Sequence, residues 1–142
     1  MLVAGGKFFE DLSIGQSASC DRTVTENDII QFAAVSGDTN PIHLDETYAS
    51  ATPFKGRIAH GLLSVGFVSA VLGTKLPGPG AVYVTQNLRF KGPVRIGDRV
   101  VAKVELVELD PARSRATFKT ICQVGDKVVI DGDAVLMVPR RG

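Results

Sequence analysis

Ala59-His60-Gly61-Leu62-Leu63-Ser64-Val65-Gly66-Phe67-Val68-Ser69-Ala70-Val71-Leu72-Gly73-Thr74-Lys75 is the most hydrophobic stretch of the chain. Leu62, Leu63, Val65, Phe67, Val68, Val71 and Leu72 leave no polar face, while Gly61, Gly66, Ser69 and Ala70 permit close packing. A helix that is apolar all round must be buried on most sides. This one is too short to span a bilayer, so the protein itself must wrap it. Leu76-Pro77-Gly78-Pro79-Gly80 then breaks it.

The chain beyond this break reads as strand: Ala81 to Lys91, Arg99 to Leu109, Arg113 to Val124 and Lys127 to Val138, with Gly, Pro and Asp in the gaps. Val100, Ala102, Val104 and Leu106 alternate with Val101, Lys103 and Glu105, and Ala116, Phe118, Thr120 and Cys122 with Arg115, Thr117 and Lys119. Period two between turn residues predicts an antiparallel meander. A one-sided sheet needs a cover and the apolar helix needs a wrapping. The expected architecture is α+β, a curved antiparallel sheet around one long central helix. A small barrel with a plug helix fits the same pattern.

Upstream, Met1 to Gly6 is small and apolar and reads as a loose start. Phe8 to Gly15 reads as a packed entry loop, and Ser17 to Val24 as a short strand. Thr25-Glu26-Asn27-Asp28 is a capping signal, and Ile29, Phe32 and Ala33 recur at helical spacing until Gly37. A second short helical stretch is expected around Asp45 to Ala51. With no repeat, linker or low-complexity segment, residues 1–142 are expected to form a single domain.

Composition removes several classes of function. A net charge of +1 with 22% charged residues carries no nucleic-acid footprint and argues against disorder. No apolar run reaches membrane-spanning length and no signal pattern opens the chain, so a cytoplasmic protein that does not engage a membrane is expected. Cys20 and Cys122 read as reduced thiols, and two histidines are too few for a zinc site, so no metal is expected.

The helix that ends at Gly37 delivers Ser36-Gly37-Asp38-Thr39-Asn40-Pro41-Ile42-His43. The residue before a proline is pushed out of the α region, which predicts a turn rather than a helix here. An aspartate and a histidine on one constrained loop suit acid–base catalysis. The same residues also suit a turn cap and a packed core histidine.

Phe32-Ala33-Ala34-Val35-Ser36-Gly37-Asp38-Thr39-Asn40-Pro41-Ile42-His43, with Ala49 beyond it, resembles the signature of the MaoC-like, R-specific enoyl-CoA hydratase (hydratase 2) family. Ala59-His60-Gly61 matches the start of that family's central helix, and the likeness runs from about Phe8 to Val138. The resemblance implies the hotdog fold, normally a homodimer or larger. It also implies reversible hydration of trans-2-enoyl-CoA to (R)-3-hydroxyacyl-CoA, with Asp38 and His43 as the catalytic pair. No cofactor is implied beyond the coenzyme A carried by the acyl-CoA thioester substrate. The same chemistry on an acyl carrier protein is the near alternative. A silent acyl-thioester-binding subunit of a heterodimer should have lost the pair that is present here.

Other candidates have double readings. Asn40 either fixes the loop and orients His43 or touches substrate. Gly61 opens the buried helix, where a free N–H suits a thioester oxyanion, and packing alone explains a glycine equally well. His60 reads as holding the helix start. Ser69 aligns with a family serine near the active site and also suits helix packing. Arg89, Lys91 and Arg95 are candidates for coenzyme A phosphates or ordinary surface charge.

Overall fold

The computed structural model describes residues 6–142, so the loose start expected at Met1 to Gly6 falls almost wholly outside the described residues. Five strands, β1 (Ser17–Thr23), β2 (Val82–Phe90), β3 (Arg99–Asp110), β4 (Arg115–Val124) and β5 (Lys127–Met137), form one sheet in the order β1-β3-β4-β5-β2. Every pairing is antiparallel. Among the described residues four α-helices accompany it: α1 (Glu26–Ser36), α2 (Pro41–Leu44), α3 (Glu46–Ser50) and α4 (Gly61–Thr74).

The period-two pattern does what it predicts. Val100, Ala102, Val104 and Leu106 of β3 are buried, as are Ala116, Phe118, Thr120 and Cys122 of β4. Cross-strand pairs stack these residues in one layer, with Ala102 opposite Cys122, Val104 opposite Thr120 and Leu106 opposite Phe118. Phe67, Val68, Val71 and Leu72 of α4 are buried in the same core. Burying each such side chain contributes roughly 2 kcal/mol. Register shifts after Leu106, Cys122 and Tyr83 mark bulges, which add twist and let the sheet curve around the helix.

Four expectations are corrected. Of the four later strands only β3, β4 and β5 form a meander, because β2 crosses to pair with β5 at the far edge. Strand β4 begins at Arg115 rather than Arg113, since Ser114 adopts a turn conformation with φ 55°. Pro41 to Leu44 is a one-turn helix, not a plain turn. Proline excludes the α region only for Asn40, which becomes the cap, while Pro41 itself is well suited to the first helical position. Finally, α4 is covered on one side only within the single chain. It packs against β1, β3 and β4, and Leu62, Gly66, Ser69 and Ala70 face outward, with Leu62 57% exposed.

The cysteines are free. Cys20 pairs in register with Ala102, which pairs with Cys122, so the two lie two strand spacings apart. That is roughly 9–10 Å, beyond the reach of about 7 Å for a disulfide. Burial, with Cys20 nearby, pushes the Cys122 thiol up to about 12, which keeps it unreactive.

Gly132 shows how closely β2 and β5 approach. A Cβ there would lie 1.9 Å from the Asn87 carbonyl oxygen, a backbone atom that no rotamer change can move. Gly132→Ala should cost about 3 kcal/mol and lower the melting temperature by roughly 8 °C. Circular dichroism melts of the two proteins check this; a variant that melts with its parent contradicts so close an approach.

Candidate active site

The site is assembled at the head of α4 from three short pieces of chain. Helix α1 is anchored at its start by reciprocal bonds. Asp28 N–H donates to Thr25 Oγ1 (3.1 Å), and Thr25 N–H donates to the Asp28 carboxylate (2.9 Å). It ends at Gly37, whose φ of 78° is a left-handed cap that a side chain would strain. Ser36 Oγ then accepts the Asp38 N–H at 3.1 Å, and Asp38 Oδ1 accepts the Asn40 N–H at 3.2 Å. Asp38 is thus held from behind, and its side chain is exposed toward a cavity.

Asn40 serves as the cap of α2, its Oδ1 accepting the Ile42 N–H at 3.1 Å. That one-turn helix carries His43, which is only 8% exposed. His43 Nδ1 lies 2.8 Å from the Ile58 carbonyl oxygen, a partner that can only accept, so Nδ1 carries the proton. In the neutral ring Nε2 then carries a lone pair. Burial is the main cause that lowers the His43 pKa from 6.5; the neighbouring His60 also lowers it, while the Ile58 carbonyl and Asp38 oppose. Arg57 braces this turn, its Nε donating to the His43 carbonyl (2.7 Å) and its Nη1 pairing with Glu26 of α1 (2.7 Å).

His60 completes the assembly. Its ring stacks on His43 with centroids 3.8 Å apart and planes 28° apart, and Phe32 of α1 lies 4.8 Å away. Its Nε2 is 2.9 Å from the Asp38 carbonyl oxygen. A carboxylate oxygen of Asp38 and one nitrogen from each imidazole lie within 4.8 Å of one another. One nitrogen of each ring is already given to a carbonyl, and the remaining nitrogen of His60, Nδ1, is buried. The set is a poor fit to a tetrahedral ion and a good fit to one water.

Gly61 heads α4, where a first-turn N–H has no intrahelical acceptor and the helix dipole is positive. It lines a cavity of about 240 Å³ with Asp38, His43 and His60, and a second of about 410 Å³ with His43, Phe54 and Lys91. A Cβ at Gly61 would come within 2.5 Å of the Phe90 ring. Here glycine makes room for an aromatic wall, which gives the packing reading a definite partner. Asp38, His43 and Gly61 are therefore brought together. Ser69 is not: it lies two turns along α4, about 12 Å away, in an apolar groove of about 460 Å³ between α4 and β2. Leu62 borders both that groove and the Asp38 cavity.

Among the basic candidates, Arg95 is occupied by the Phe54 carbonyl (2.6 Å). Lys91 sits at the cavity rim paired with Asp131 (2.7 Å), and Arg89 lines a shallow polar depression with Lys119 and Asp131. The sequence does not single out Phe54, Arg57 and Phe90 as site residues, and Phe32 enters it only as a helix position at the start of the signature stretch. Each acts on groups far away in the chain, so no local signal announces it.

The family model of the MaoC like domain matches residues 12–132. The chain is 59% identical over 135 residues to the (R)-specific enoyl-CoA hydratase of Rhodospirillum rubrum, covering 95% of this chain and 94% of that one. It is 53% identical to the 3-hydroxybutyryl-CoA dehydratase of Methylorubrum extorquens, over 94% of this chain and 85% of that one. Among solved structures, the unliganded R-hydratase of Pseudomonas aeruginosa superposes with a TM-score of 0.89 at 43% identity, over 96% of this chain and 88% of that one. The sheet wrapped on α4 is the hotdog fold, shared with that enzyme and with the (R)-hydratase of A. caviae, and the chain belongs to the MaoC-like domain family.

Proposed function

We propose that this protein is an (R)-specific enoyl-CoA hydratase, adding water reversibly to trans-2-enoyl-CoA to give (R)-3-hydroxyacyl-CoA. The observation that carries the reading is one cavity bordered by the Asp38 carboxylate, the His43 imidazole and the head of α4. Two acceptors, a carboxylate and the Nε2 lone pair, match the two O–H donors of one water and leave its oxygen free to attack.

The water oxygen bonds to C3 of the enoyl group, and the π electrons move onto the thioester oxygen as an enolate. The Gly61 N–H, at the positive end of α4, stabilises that charge. One of the two acceptors takes the water's proton and returns it to C2 as the enolate collapses. One water thus supplies both the hydroxyl and the new hydrogen, on one face of the double bond. The apolar groove that continues past Leu62, lined by Val65, Gly66 and Leu88, suits the acyl chain.

Coenzyme A is preferred over an acyl carrier protein because relatives named for CoA substrates are 59% and 53% identical. The mitochondrial 3-hydroxyacyl-[acyl-carrier-protein] dehydratase of Arabidopsis thaliana is 34% identical. A silent binding subunit has no use for two acceptors and a helix head around one space. A homodimer also belongs to this reading. Strand β2 is an unpaired edge beside exposed Val82, Tyr83 and Val84, and the open face of α4 lies next to it.

With crotonyl-CoA, loss of the enoyl-thioester absorbance should be fast for the parent and slower with the acyl-carrier substrate. Asp38→Asn and His43→Gln should each lower turnover by on the order of 100-fold, and the double variant should be little worse than either. Near-parental rates in Asp38→Asn would refute the mechanism. The pH profile follows from His43, which acts as an acceptor only when neutral. Its value lies below the ordinary 6.5, so kcat/KM should hold through pH 6.5 and fall only as pH drops through the depressed value. An acid limb centred above 6.5 contradicts this. Light scattering at micromolar concentration should give twice the chain mass of 15.1 kDa.

A further inference from the structure

His60 is a polar ring where an apolar one would fill the space. It is 2% exposed, it packs against both Phe32 and His43, and its buried Nδ1 has no partner among the described residues. A ring kept only for packing would avoid that unpaired nitrogen, since burying a polar group without a hydrogen bond is unfavourable. What the imidazole adds is Nε2–H, donated at 2.9 Å to the Asp38 carbonyl. That bond spans 22 residues and fixes the backbone from which the Asp38 carboxylate projects. The ring face, meanwhile, stacks on His43 at 28° between planes, adding to the restraint that the Ile58 bond places on that ring.

We propose that His60 is the positioning residue for both members of the acid–base pair. It acts on Asp38 through the carbonyl bond and on His43 through the stack, and so sets the distance between the two acceptors of the water. This rests on the hydratase reading above. Helix α4 begins at His60 as its cap position, so the Gly61 N–H, the Asp38 carboxylate and the His43 ring are referred to one point. The titratable and charged groups around the ring pair are Asp38 on the loop, Arg57 behind the His43 carbonyl with its partner Glu26 on α1, and Lys91 on β2 at the cavity rim. None of these groups stacks against the His43 ring, as His60 does.

Two variants separate the two contacts. His60→Phe keeps an aromatic face against His43 and removes the donor to Asp38. His60→Gln keeps a donor and removes the face. Both are assayed with crotonyl-CoA beside the parent, with melting curves and full pH profiles. Each should lower kcat by about 10- to 100-fold, the scale of a misplaced catalytic group, and leave KM within about twofold because His60, 2% exposed, offers a substrate almost no surface. In His60→Gln the acid limb of kcat/KM should move to higher pH, since His60 is one of the influences that depress His43, whereas the apolar ring of His60→Phe keeps the desolvation that is the main one. Either variant retaining the parental kcat and acid limb overturns the proposal. So does a loss of activity that only follows a lower melting temperature while the pH profile of the remaining activity in His60→Gln stays parental. If one variant fails to fold, the other decides. A parent that does not hydrate crotonyl-CoA would refute the hydratase reading itself, a result separate from these.

Discussion

The constraint on which the structure depends is the apolar surface of α4. Phe67, Val68, Val71 and Leu72 cannot be left in water, and together with the facing residues of β3 and β4 they form the core. At roughly 2 kcal/mol for each buried side chain, the four stabilise the fold by an amount comparable with the net stability of a whole domain. The sheet bends to meet them, and bulges in its strands let it bend. Because the bend covers only the β1, β3 and β4 side, an apolar groove is left between α4 and β2. The open groove is therefore a consequence of how the core is made, and it adjoins the Asp38 cavity through Leu62.

The same burial makes the head of α4 a stiff place to build a site. A helix start presents free N–H groups, and burial of the helix body prevents that start from moving. Around it, backbone carbonyls rather than side chains orient the two imidazoles. The Ile58 carbonyl accepts the hydrogen bond from His43 Nδ1–H, and the Asp38 carbonyl accepts the one from His60 Nε2–H. The two rings thus hold their protons on opposite nitrogens, so the stack presents one lone pair toward the Asp38 carboxylate side and buries the other. Backbone acceptors suit this task because they cannot ionise and cannot rotate away.

Two glycines show opposite uses of a missing side chain. At Gly37 the backbone needs a positive φ to turn from α1 into the Asp38 loop. At Gly61 the backbone is ordinary helix, and the absent Cβ leaves room for the Phe90 ring, which walls the cavity. Phe90 stands on β2, the strand whose outer edge is free, so assembly through that edge would act on the cavity directly.

Much of this was legible in the amino-acid order because it depends on neighbours a few residues apart. The Thr25 cap, the stop at Gly37, the period-two faces of β3 and β4 and the lack of a polar stripe on Ala59 to Lys75 are local facts with local physical causes. So is the juxtaposition of Asp38 and His43, which a single short loop guarantees. The helical form of Pro41 to Leu44 was also local in origin, but it was hidden because the proline rule applied to Asn40 and not to the residues after it. Tertiary structure alone decided the rest. The pairing of β2 with β5, the side of α4 left open, the Phe90 wall and the bond from His60 to the Asp38 carbonyl all join residues tens of positions apart. No local preference specifies such contacts. They arise from how this sheet closes over this helix.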